Sequence, residues 1–195
     1  MSRLFTNINV RTGDQKAVAS AVVRLPRRMA SLVAPAENGW VTVFDEASDA
    51  PDEDRLSGYT VMLSDRMKTR AVGFLVYESD VLIVTIAENG KLLDHYSSWP
   101  DYFDETMPPE EIESLAGKPE AVARLNPSIP PAQVRAVLDE EHDFAEEKLA
   151  DLVRLIGLPP IAAQWGYNDL VETEEESPES LPPNWPDYMK LETMF

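Results

Sequence analysis

Apolar and polar positions alternate through most of the first hundred residues, and the period changes from two to three or four at regular intervals. Residues Leu4 to Arg11 alternate as a strand, and Asp14 is placed to cap a helix running to about Arg24, where Pro26 stops it. A short strand is expected over Met29 to Ala34. Asn38-Gly39 then turns the chain into Trp40 to Phe44, an aromatic and β-branched run of period two. From Asp52 to about Lys68, Leu56, Tyr59, Leu63 and Met67 recur at helical spacing and give one apolar face. Ala71 to Tyr77 returns to strand periodicity, so the order to that point is βαββαβ. Two further strands, Val81 to Ala87 and Lys91 to Tyr96, flank Asn89-Gly90, the pair that a type I′ hairpin turn requires because both central residues need positive φ. The predicted fold class is α+β: a ferredoxin-like βαββαβ core extended by a β-hairpin, followed by a helical C-terminal region.

After Phe103 the pattern becomes helical and is punctuated by Pro108, Pro109, Pro119, Pro127, Pro130 and Pro131. A long helical stretch starts near Pro131, since a first turn has no intrahelical use for its N–H groups. Val134, Leu138, Ala145, Leu149, Leu152 and Ile156 form its stripe, with a break expected at Glu141 and a stop at Gly157 and Pro159. The acidic, proline-rich segment from Glu172 to Pro186 has little apolar surface to bury and is expected to be a tail, lying on the domain or mobile. Trp185, Tyr188, Met189, Leu191 and Phe195 suggest that its end docks. The division that follows is a core over residues 1–105, a helical region packed on it over 106–170, and a tail with an aromatic end over 171–195.

Charge narrows the range of partners. The chain has 195 residues, with 35 acidic against 17 basic side chains and a formal net charge of −18. That field repels phosphate backbones and anionic lipid, so neither nucleic acid nor membrane is expected as a partner. The acids cluster at Asp45 to Asp54, Asp139 to Glu147 and Glu172 to Glu179. Such clusters serve solubility and helix N-termini, and they also make a surface that steers a basic protein into contact. The absence of cysteine removes disulfides, thiolate nucleophiles and thiolate metal sites. With no apolar run near 20 residues and no apolar signal core at the N-terminus, a cytoplasmic protein is expected.

Candidate chemistry is sparse. Asp94, His95, Ser97, Ser98, Asp101 and Asp104 bring an imidazole, hydroxyls and carboxylates together in sequence, as acid-base or nucleophilic catalysis requires. Strand alternation turns His95 away from Asp94 and Tyr96, which favours a strand-end cap over a catalytic pair. The loop from Asp45 to Asp54 lacks calcium-loop spacing, and Asp52 to Asp54 suit the start of the following helix better. His142, among acids on a helix, is expected to be solvated. No nucleotide, zincin or hydrolase-elbow motif occurs, and neither a cofactor nor a metal is expected.

One signature repeats: Trp-Pro-Asp-Tyr at Trp99 to Tyr102 and again at Trp185 to Tyr188. A Trp before Pro is held extended, and an adjacent Trp and Tyr make a common interface anchor. Trp99, Asp101, Tyr102, Trp185 and Tyr188 are therefore the candidate binding residues, although Trp99, which directly follows a strand, is better read as packing on its own domain, and Trp185 fits either role.

The segments Asn38 to Glu46 and Tyr77 to Phe103 resemble a group of uncharacterised bacterial proteins that share an Asp before a hairpin, an Asn-Gly or Asp-Gly turn and a Ser-x-Pro-Asp-Tyr-Phe block. Phe144 to Leu170, with its Gly-Leu-Pro stop and Gly-Tyr-Asn ending, is similar to the same group. The resemblance implies a shared fold and carries no catalytic residues across. The sequence thus points to a non-catalytic acidic protein-binding module, immunity- or antitoxin-like, whose partner is a basic protein. The alternative is a small enzyme or ligand-binding module with a pocket near His95, Trp99 and Tyr102. A cleft lined by His95, Tyr102 and Trp165 would favour that alternative, and a convex acidic surface the binder.

Overall fold

The computed structural model describes residues 2–26 and 29–192. Its centre is a seven-stranded, wholly antiparallel sheet of order β6-β5-β4-β1-β3-β2-β7. The strands are β1 (Phe5–Arg11), β2 (Ser31–Val33), β3 (Trp40–Asp45), β4 (Arg70–Tyr77), β5 (Val81–Glu88), β6 (Lys91–Ser97) and β7 (Met189–Leu191). Helices α1 (Gln15–Val22) and α2 (Glu53–Met67) cover one face, burying Val18, Val22, Leu56 and Leu63 against Ile8, Val10, Val43 and Leu75. Their starts follow from local chemistry. Asp14 accepts the Ala17 N–H at 2.9 Å and Asp52 accepts the Arg55 N–H at 3.0 Å, each satisfying a donor the helix cannot. Gly73 lets α2 approach β4 closely, because a Cβ there would lie 2.3 Å from Thr60 Oγ1.

The opposite face is covered by α4 (Pro119–Leu125), α5 (Pro131–Asp139) and α6 (Ala145–Ile156), which bury Val122, Leu138, Leu149 and Leu152 on Phe74, Val84 and Ile86. Of these, α4 and α5, like the short α3 (Pro109–Ser114), begin with proline in the first turn. The stripe from Val134 to Ile156 is broken at residues 140–144, and α6 ends at Gly157 with φ of 82°. A polar ladder joins this layer to the sheet: Thr42 donates to Asn9, Asn9 to Asn7, and Asn7 to the carbonyls of Ala162 and Trp165. Each of these three buried side chains donates to the next group in the ladder, which fixes the C-terminal layer on the sheet.

The acidic C-terminal segment is ordered rather than mobile through residue 192. Its first acids extend α7 (Tyr167–Glu176), and β7 then pairs with β2 at the sheet edge, Val33 opposite Met189. Glu174 holds Lys190 Nζ at 2.5 Å, so acids that read as a solvated run tether the last strand. The expected docking of Phe195 lies outside the described residues. Among the described residues no helix is long and apolar enough to cross a membrane.

Asn38-Gly39 and Asn89-Gly90 both adopt the positive φ values that the turn chemistry predicts, 54° and 77° in the first pair, 52° and 80° in the second. Replacing Asn89 and Gly90 by valine is expected to destabilise the fold by about 1 to 3 kcal/mol, since β-branched residues resist these angles. A Cβ on residue 90 would also meet the Asp65 Cβ at 2.8 Å. The urea midpoint reads the loss; an unchanged midpoint would mean the turn does not constrain the hairpin.

Candidate functional site

The repeated tetrapeptide is the same local structure twice. In each copy the Tyr N–H donates to the Trp carbonyl, at 3.2 Å in the first and 3.1 Å in the second, closing a β-turn with Pro at its second position. The rings then pack together, with centroids 5.1 Å apart for Trp99 and Tyr102 and 4.9 Å for Trp185 and Tyr188. The repeat thus encodes an aromatic turn, and its surroundings decide its role.

Around the second copy both rings pack into the fold. Tyr188 stacks on Phe44 at 6.3 Å and is buried, and burial pushes its hydroxyl well above the ordinary tyrosine range. Trp185 is half-buried, donates Nε1–H to Glu174 at 3.1 Å and lies beneath the Lys190 ammonium. As an exposed anchor Tyr188 is therefore corrected to a core residue, because strand β7 carries it against Phe44.

The first copy follows β6 and faces solvent. Trp99 is 51% exposed and Phe103 59%. Tyr102 and Phe103 set their edges against Tyr77, and the Tyr102 hydroxyl donates to Asp80 at 3.2 Å. Asp101, in the middle of the turn, is half-buried. Beside Trp99 opens a cleft of about 800 Å³ between this turn and the loop joining α5 to α6. Phe144, 56% exposed, stands on that loop, and Asp139, Glu140, Glu141 and Asp143 surround it. In the cleft wall lies Lys148, buried along its stem, with Nζ donating to the Leu138 carbonyl at 2.7 Å. Burial pulls its pKa below the ordinary lysine value, against the opposing pull of Asp139, Glu140 and Glu141. The turn between β4 and β5, next to Asp80, holds Glu78 and Ser79 at φ of 51° and 62°. These non-glycine residues stay there because Ser79 binds Arg3, Ala145 and Glu146 at once.

His142 departs from its expected solvated place. The break after α5 folds the loop back on α6, leaving the imidazole 10% exposed with Nε2 3.1 Å from Asp151 and Nδ1 3.2 Å from the Glu140 carbonyl. The hydrogen bond with His142, then that with Arg154, holds the Asp151 carboxyl below its ordinary range.

The cluster at residues 94–104 does not converge. Asp94 is buried against the α4 side, accepting the Lys118 N–H at 2.7 Å, whereas His95 lies on the α2 face. There its Nδ1 meets Thr85 Oγ1 at 3.1 Å and its Nε2 stands 3.7 Å from Glu53, whose carboxyl it lowers. Ser97 and Ser98 accept backbone N–H groups of Trp99 and Leu82, and Asp104 accepts from Thr106. No hydroxyl here sits against an imidazole and a carboxylate together. Trp165 packs with the cluster around Phe44 and Tyr188 on the opposite face of the sheet from His95, so His95, Tyr102 and Trp165 do not line one cleft. At the end of β3, Asp45 accepts from Ser31 and Ala47, and in the loop before α2, Asp49 accepts from Thr6 and Asn168, so these acids serve the fold.

Periodicity gave no warning of Phe144, His142 or Lys148. The signals in this stretch were the predicted break at Glu141, which places Phe144 in a loop before α6, and the acidic cluster from Asp139 to Glu147 around it. No protein-family model, curated protein or solved structure matches the chain.

Proposed function

We propose that this chain is a non-catalytic protein-binding module, immunity- or antitoxin-like, that works in the cytoplasm and seats a basic protein on the Trp99–Phe144 face. One observation carries the reading. Of the four large apolar side chains more than half exposed among the described residues, Trp99, Phe103 and Phe144 lie along one continuous surface, and acids border it. Aromatic side chains ringed by like charges suit a partner that brings Arg and Lys: the rings supply area and cation-π contact, and the acids supply steering. The net charge of −18 extends the same field over the molecule. We read residues 5–77 as a ferredoxin-like core. The strand order β4-β1-β3-β2, with α1 and α2 on one face, supports that reading, and the β5–β6 hairpin and β7 extend the sheet on either side.

The test is to isolate the partner from the native host and measure its affinity for the wild type and for the Trp99→Ala and Phe144→Ala variants. Each variant is expected to lose about 2 kcal/mol, roughly 30-fold in Kd, with its melting temperature unchanged because the rings are half exposed. Affinity should also fall steeply with added salt. Binding that survives both substitutions and ignores salt would contradict the proposal.

A further inference from the structure

We propose that Glu140, His142 and Asp151 form a binding site for a divalent transition-metal ion of the zinc class. One ligand atom from each lies within 4.8 Å of the other two. Around a tetrahedral ion, ligand atoms about 2.0 to 2.2 Å from the metal stand roughly 3.3 to 3.6 Å apart. The His142–Asp151 pair, at 3.1 Å, is almost at that spacing already. Glu140 is exposed, so its side chain closes the remaining gap without disturbing the core.

The imidazole supplies the stronger reason. Both of its nitrogens face acceptors, Nδ1 the Glu140 carbonyl and Nε2 the Asp151 carboxylate. A neutral imidazole has one N–H, so it satisfies one of these and turns a lone pair on the other. A metal ion at Nε2 resolves the conflict: Nδ1–H donates to the carbonyl, and the Nε2 lone pair and the carboxylate both point at the cation. A ring nitrogen bound to a backbone carbonyl behind a ligating histidine is how metal sites fix the tautomer and the ring plane. Arg154 holds the other Asp151 oxygen at 2.5 Å and so orients the carboxylate. An imidazole with two carboxylates suits zinc and its neighbours better than magnesium or calcium, which take oxygen ligands alone. Three protein ligands leave a fourth position for water, and two of them, Glu140 and His142, line the cleft beside Trp99.

The alternative resolution is a protonated His142 paired with Asp151 and no metal. Titration calorimetry of the untagged full chain with zinc chloride separates the two. The proposal requires one saturable site per chain, a melting temperature raised by roughly 5 to 10 °C at zinc 100-fold above Kd, and no such response to magnesium. His142→Ala should weaken zinc binding at least ~100-fold. Glu140→Gln, at an exposed position that carries no folding risk, should weaken it ~10-fold. The absence of a saturable one-to-one response overturns the site, as does zinc affinity that is unchanged in Glu140→Gln or in folded His142→Ala. Docking of a basic protein is measured separately and does not depend on this outcome.

Discussion

Removing residues 178–195 is expected to lower stability by about 3 to 5 kcal/mol, and the melting temperature by roughly 10 °C. The truncation strips Tyr188 from Phe44, takes Leu181 and Trp185 off the cluster around Leu32 and Leu170, and uncovers the edge of β2. A buried large side chain contributes about 1.5 to 3 kcal/mol, and the conformational entropy lost in ordering a segment of this length offsets part of the sum, which keeps the net modest. A melting temperature within about 1 °C of the wild type would mean that β7 and the second aromatic turn add nothing to the isolated protein.

The second large effect is on pH dependence. Asp49 is buried, accepting the N–H groups of Thr6 at 2.8 Å and Asn168 at 2.7 Å, and so joins β1 to the first turn of α7. Burial, opposed by those hydrogen bonds, raises its pKa from 3.8 to about 6. Between these values the folded protein holds a proton that the unfolded chain has released, so stability falls as pH rises. The contribution is fully present below the unfolded value and lost as pH passes the folded one, amounting to about 3 kcal/mol at ~1.4 kcal/mol per pH unit. Glu53, Glu88 and Glu174, whose carboxyls are held low by His95, Arg70 and Lys190 respectively, act with the opposite sign: their stabilisation is lost as pH falls through their folded values. Comparison with Asp49→Asn isolates the one group. Urea unfolding between pH 4 and 7 should give a wild-type curve that falls relative to the variant's; parallel curves would remove Asp49 as a source of pH dependence.

The sheet and its two flanking helices were legible because period, caps and turn residues agreed. Asp14 and Asp52 both cap, and Asn38-Gly39 and Asn89-Gly90 both take the left-handed turn. The turn at Glu78-Ser79 uses the same geometry with residues that do not favour it, held by contacts from Arg3 and α6 that no local pattern reveals. At the C-terminus, acids and prolines left open whether the tail lies on the domain or is mobile, and the structure takes the first course. Glu174 meets Lys190 and Trp185, and a three-residue strand suffices when β2 waits beside it. Trp99 and Trp185 share one tetrapeptide and one turn, and only tertiary surroundings leave the first on the surface and pack the second. The cleft is a tertiary object too, made by residues 80, 99 and 139–148 from three separate stretches of chain.

Hydrogen-deuterium exchange on the protein with and without its isolated native partner tests the docking proposal most directly. Protection confined to the turn at residues 98–103 and the loop at residues 139–145, with a basic protein as the partner, is the predicted result. Protection centred on α1 or on β7 with these two segments unchanged, or a partner without a basic surface, would contradict it.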